Sequence, residues 1–129
     1  DRAVLRALHF LRENERVERI KSALMNSDVD AFLENVRESG RSSFEYLQNV
    51  FTVANVKEQG LSLALALTEG YLAGKSFAAR VHGGGFAGTI QVFLKKEDVD
   101  GYVSYIDAIF GDGSAEVFDV RAVGATKLF

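Results

Sequence analysis

Residues 79–90 read ARVHGGGFAGTI, a glycine-dense turn held between two strand-like segments. Four of the six residues from Gly83 to Gly88 are glycine. Glycine loses the most conformational entropy on folding and brings no side chain to a core, so such a cluster needs a physical reason. One is a run of backbone angles that only glycine tolerates; the other is close approach of another surface to the main chain. A plain hairpin does not need four glycines, which points to a phosphate-bearing ligand or a packed partner loop. On either side, residues 76–82 and 89–94 alternate as strands, with Phe77, Ala79 and Val81 on one face and Ile90, Val92 and Leu94 matching them.

Upstream the chain reads helical. Ala3, Ala7, Phe10, Val17, Ile20 and Leu24 recur at helical spacing and predict the buried stripe of a first helix, with residues 12–16 on the wet side. Ser27 followed by Asp30 predicts a capping box, Val29, Phe32, Leu33 and Val36 a second stripe, and Gly40 its stop. Ser42 and Glu45 repeat the capping pattern ahead of Phe44, Leu47 and Phe51, which predicts a third helix. Residues 57–73 are rich in Leu and Ala and predict a fourth, apolar on most sides and central to the domain. After the hairpin, Val99, Val103, Ile106 and Phe110 predict a helix over 97–110 ended by Gly111, and residues 115–123 read as a final strand. The resulting order, α-α-α-α-β-β-α-β, predicts an α+β fold: one domain over residues 1–129, an antiparallel β-sheet covered by helices.

Composition bounds the function. The 129 residues carry a net charge of −3, so no whole-chain attraction to nucleic acid or an anionic membrane is expected. No cysteine is present and only His9 and His82 are histidines, which disfavours disulfides, thiolate chemistry and a zinc site. The apolar run 61–67 is far short of the roughly 18 residues a membrane span needs, and cytosol is the default compartment. Glu97, Asp98 and Asp100 open a helix, where acids favour the positive end of its dipole; they are not read as metal ligands. The helical start at Asp1 without an initiator Met reads as a fragment of a longer protein.

The segment from Arg80 to Thr89 resembles the third conserved motif of galactokinases, members of the GHMP sugar and mevalonate kinase superfamily. Its usual form is an Arg, two residues, then Gly-Gly-Gly-Phe-Gly-Gly leading into a strand. Residues 7–17, ALHFLRENERV, resemble that family's His-Val-Val-x-Glu-x-x-Arg helix, and Ser27, Asp28 and Phe32, then Glu38 and Ser39, resemble its next helical stretch. The resemblance implies the carboxy-terminal, ferredoxin-like domain of a two-domain enzyme that phosphorylates galactose to galactose 1-phosphate with MgATP. It implies that Gly83, Gly84, Gly85 and Gly88 bind nucleotide, and that Arg80, His82, Phe86 and Ala87 line the cleft, Phe86 as an anchor beneath the turn. ATP and Mg2+ would belong to the complete enzyme, with none bound to this chain alone.

The partners implied are the amino-terminal domain, galactose and ATP. That domain would hold the Ser-rich phosphate loop and the catalytic Asp and Arg, so this chain alone is expected to be inactive. An uncovered apolar face is expected to self-associate. His82 stands where the family commonly has Thr, and Ala87 where it has Gly; a left-handed Ala87 would cost roughly 1–2 kcal/mol, so negative φ is expected there. His82 reads as a hydrogen bonder at the turn and His9 as structural. The open alternatives are a kinase for N-acetylgalactosamine or arabinose, a non-catalytic galactokinase-like sugar sensor, and a small ligand-binding module.

Overall fold

The computed structural model describes residues 1–86 and 88–119 and divides the chain into two compact units, Asp1–Lys95 and Lys96–Phe129. In the first unit the order is α1 (Arg2–Met25), α2 (Val29–Ser42), a π-helical turn (Ser43–Leu47), α3 (Gly60–Tyr71), β1 (Phe77–Val81) and β2 (Ile90–Leu94). The second holds α4 (Lys96–Phe110).

The helices follow their composition. α1 is built of Ala, Leu, Arg and Glu without an internal Gly or Pro, so propensity alone favours it. It ends at a left-handed Ser27 (φ 55°), and the Asp28 N–H then returns to the Ala23 carbonyl at 2.8 Å. Asp28 opens α2 by accepting the Ala31 N–H at 2.9 Å. The cap is thus one residue later than the Ser27 predicted, because Ser27 is occupied in closing the helix before it.

β1 and β2 pair antiparallel, with Phe77 opposite Leu94, Ala79 opposite Val92 and Val81 opposite Ile90. The hairpin is covered on both faces. Against α2, Ala78 packs on Leu33 and Val36, with Phe32 and Phe93 meeting edge to face at 5.1 Å between ring centres. The other face brings Val81 and Ile90 against Val50, Phe51, Leu61 and Leu65. Arg37 Nη1 donates to the Phe77 carbonyl at 2.5 Å and ties α2 to the start of β1.

This corrects the α+β expectation. The described residues are mostly helical, with a single two-stranded antiparallel sheet. Gly40 does not stop α2; it lies inside the helix because β1 crosses there, and a Cβ on it would stand 3.0 Å from the Arg80 Cβ. α2 therefore runs straight into the π-helical turn, and the predicted third helix is absent as a separate element. Ala115 to Asp119 form no strand, and residues 120–123 of the predicted final strand lie outside the described residues. The ferredoxin-like arrangement is therefore not what the described residues form.

Two faces also differ from their reading. α3 buries one stripe, Leu61 and Thr68, with Leu72 beyond its end, while Leu63 is exposed; it is a covering helix rather than a central one. In α1 the predicted stripe holds only in part: Ile20 is half-buried, and Arg12, Asn14 and Glu15 are exposed as expected, but the rest of the stripe turns outward and Arg16 turns in. Phe10 (64% accessible), Val17 and Leu24 point to solvent, whereas Arg16 is 6% accessible. Burying Phe10 would leave the ionic side of α1 with no partner, while turning it inward sets its charges against those of α2 and β1.

α4 begins with Glu97 and Asp98 in its first turn and ends at Gly111, whose φ of 106° only glycine adopts readily. Asp107 Oδ1 then accepts the Ala115 N–H at 3.0 Å. No helix among the described residues is long and apolar enough to cross a membrane.

Candidate functional site

Two groups of residues, both reached from β1, make the candidate site. The first is a charged ladder. His9, Glu13 and Arg16 share one face of α1 by their spacing of four and three. Ser39 and Ser42 present small hydroxyls from α2, and Arg80 reaches in from β1. Arg80 Nη1 donates to Ser39 Oγ at 2.5 Å, and Ser39 Oγ donates in turn to Glu13 Oε1. Arg80 Nη1 also stands 3.6 Å from Glu13 Oε1. The other Glu13 oxygen takes the Arg16 guanidinium. Among the described residues Arg16 Nε is buried without a hydrogen bond, its attraction to Glu38 Oε2 acting over 3.6 Å. Glu38 is completed by Arg19 Nη2 at 2.7 Å.

Ser39, fully buried, is the pivot of this ladder, because its hydroxyl accepts from a cation and donates to an anion at once. Buried charges survive only when paired and hydrogen-bonded, which is what the alternation along Arg80, Glu13, Arg16, Glu38 and Arg19 provides. His9 Nδ1 lies 2.9 Å from Ser42 Oγ at the edge of the ladder. Its pKa is lowered, first by burial and then by the Arg16 and Arg80 cations, with Glu13 opposing. The fold therefore favours the neutral imidazole over the charged one.

The second group is the glycine turn. His82 extends the hairpin by one bond, its N–H donating to the Thr89 carbonyl at 3.0 Å. Gly83 (φ 68°), Gly85 (φ 74°) and Gly88 (φ 121°) are all left-handed, and so is Phe86 (φ 67°). Both physical reasons for glycine thus operate here. At Gly85 a Cβ would lie 2.3 Å from the Asn49 carbonyl oxygen, whereas at Gly83, Gly84 and Gly88 it would meet open space. The surface that approaches the turn is the segment following the π-helical turn. Phe86 N–H donates to the Asn49 carbonyl at 2.5 Å, and Asn49 Nδ2 to the Gly84 carbonyl at 3.2 Å.

The predicted residues therefore fall into two sets. Gly83, Gly84, Gly85, Phe86, Gly88 and His82 lie together on the turn; Arg80 instead turns into the ladder, toward Ser39 and Glu13. Phe86 is 39% accessible on the turn rather than an anchor beneath it, because its amide is what faces inward. Ala87 lies outside the described residues. Asn49 and Ser42 were not singled out for this site from sequence. The available signal was a polar residue inside the apolar run Leu47 to Phe51, and small hydroxyls on the face of α2 that also carries Gly40.

Chemically, the ladder holds fixed charge, and the turn offers main-chain amides such as recognise anionic oxygen. Among the described residues no three His, Cys, Asp or Glu side chains converge as a metal ligand set would. No protein-family model, curated protein or solved structure matches the chain.

Proposed function

We propose that this chain is the carboxy-terminal domain of a galactokinase, a cytoplasmic enzyme that transfers the γ-phosphoryl of MgATP to galactose. One observation carries the reading. Parts of three stretches of the resemblance meet in a single ladder, Glu13 and Arg80 through Ser39 and Glu38 through Arg16, while Ser27, Asp28 and Phe32 lie outside it. Residues so far apart in sequence have no reason of composition to converge. The reading rests on that ladder and the adjoining turn, and not on the fold class.

In this proposal the glycine turn forms one wall of a cleft and its amides face the nucleotide phosphates. The amino-terminal domain supplies the phosphate loop, the sugar contacts, the Mg2+ site and the catalytic groups. Phosphoryl transfer depends on positioned donors, metal and nucleophile, so this chain alone is inactive. Alone, it self-associates through exposed apolar residues such as those of α1.

The test is ADP release from MgATP by the full-length polypeptide with galactose, N-acetylgalactosamine, arabinose or no sugar. Turnover with galactose is expected. Turnover with another sugar alone would reassign the substrate, and sugar binding without turnover would make the protein a sensor.

A further inference from the structure

Among the described residues, backbone strain is concentrated at one contact. Three non-glycine residues among those described have positive φ, and two of them, Gln48 (φ 53°) and Phe86 (φ 67°), flank the hydrogen bond from Phe86 N–H to the Asn49 carbonyl. Each left-handed residue costs on the order of 1–2 kcal/mol, and strain of this kind persists only where its surroundings hold it. What holds it here is Asn49, 1% accessible. The π-helical turn closes with the Gln48 N–H on the Ser43 carbonyl at 3.1 Å, and left-handed Gln48 then swings the chain so that Asn49 lies under the glycines. The Asn49 side chain is itself fixed, Oδ1 accepting from Ser43 Oγ at 3.0 Å and Nδ2 donating to the Gly84 carbonyl. Gly85 is seated so closely on the Asn49 carbonyl that no side chain fits between them.

We propose that Asn49 is the positioning residue of the glycine turn: its carbonyl and amide together set the main-chain geometry of Gly84 to Phe86. Two consequences follow. The Phe86 amide is spent on Asn49 and is not a donor to ligand, so anion recognition falls to the amides of Gly83 to Gly85. The turn is also presented in a preset shape rather than moulded by what it binds. This deepens the kinase reading above and rests on it for its effect on turnover.

Asn49→Ala removes both side-chain bonds and leaves the main-chain carbonyl. Native-state amide exchange on this chain should show Phe86 losing its protection while the paired amides of β1 and β2 keep theirs. In the full-length enzyme, kcat should fall about 10²-fold, as for a misplaced positioning group, with KM for galactose unchanged. Unaltered Phe86 protection, or unaltered kcat in an active enzyme, would overturn the proposal, since a residue that merely fills space would give one or the other. Should Asn49→Ala fail to fold, Ser43→Ala, which removes only the donor to Asn49 Oδ1, must give the same pattern at smaller amplitude. If the wild-type enzyme turns over no sugar, the kinase reading fails, and amide exchange alone decides the role of Asn49.

Discussion

The ladder and the glycine turn adjoin each other along β1, yet they are made of different materials. The ladder is built of side chains: a serine hydroxyl and alternating charges, each replaceable in principle by a group of similar reach. The turn is built of main chain: a carbonyl, an amide and a glycine whose missing Cβ is the point of contact. A side-chain contact weakens when one partner is changed, by an amount set by what is left unpaired. A main-chain contact of this closeness has no partial version, since any side chain at Gly85 occupies the place of the Asn49 carbonyl. The two regions should therefore respond differently to substitution.

The largest effect is expected at the turn. Gly85→Ala combines a left-handed penalty of roughly 1–2 kcal/mol with overpacking of about 1–3 kcal/mol, so urea unfolding should show a loss of about 2–5 kcal/mol. Gly83→Ala meets open space and should cost only the conformational part, about 1–2 kcal/mol. Equal losses at the two positions would remove the distinction between a seated glycine and a permissive one.

The ladder comes next. Glu13→Gln leaves Arg16 buried without its strongest partner, and a loss of about 3 kcal/mol is expected in the same measurement. Arg16→Met, which removes the buried cation with it, should be milder. If the order were reversed, Arg16 would be contributing by its packing and not by its charge.

Smaller still is Gly40→Ala. It gains about 1 kcal/mol of helix propensity but crowds the Arg80 Cβ at 3.0 Å, an overpacking cost of about 1–3 kcal/mol, so a net loss of about 1 kcal/mol is expected in thermal unfolding. A stabilised variant would mean that α2 and β1 can separate without consequence.

The smallest effect is in pH. His9 binds its proton less readily folded than unfolded, so the unfolded state takes up more protons below the unfolded value of about 6.5. The stability tied to neutral His9 is present above that pH and lost as pH falls through it toward the lowered folded value. Unfolding curves between pH 7 and pH 5 should therefore converge for wild type and His9→Gln at acid pH; parallel curves would show that neither burial nor the Arg16 and Arg80 cations disfavour protonated His9.

Much of this was legible in the sequence. The hairpin, the stripe of α2 from Phe32 to Val36 though not the exposed Val29, the end of α4 at Gly111 and the need for glycines at the turn follow from periodicity and from glycine's conformational range. The approach of another surface to the turn was legible as well; that the surface was Asn49 was not, because a left-handed Gln48 leaves no mark in composition. The faces of α1 were in part misread for a related reason. A moment built from apolar spacing assigns Phe10 and Val17 to the core and has no way to see that Glu38, Ser39 and Arg80 wait on the other side. Gly40 was read as a stop because sequence shows a glycine's freedom but not the strand that crosses it. The predicted final strand rests on alternation alone, and Ala115 to Asp119 form no strand.

The charged inner side of α1 carries a thermodynamic consequence. Most helices dock by removing hydrocarbon from water, and their release raises the heat capacity of the chain; exposing polar surface lowers it. α1 docks through ions and hydroxyls as well as through Ile20 and Ala23, so its detachment should change heat capacity and denaturant sensitivity less than an all-apolar face would, while responding to salt. Warming acts on such a joint in an unusual direction, because the cost of stripping water from charges falls as temperature rises. The helix that is least oily on its inner side should be among the last parts of this unit to loosen on mild heating, and among the first to feel a change in ionic strength.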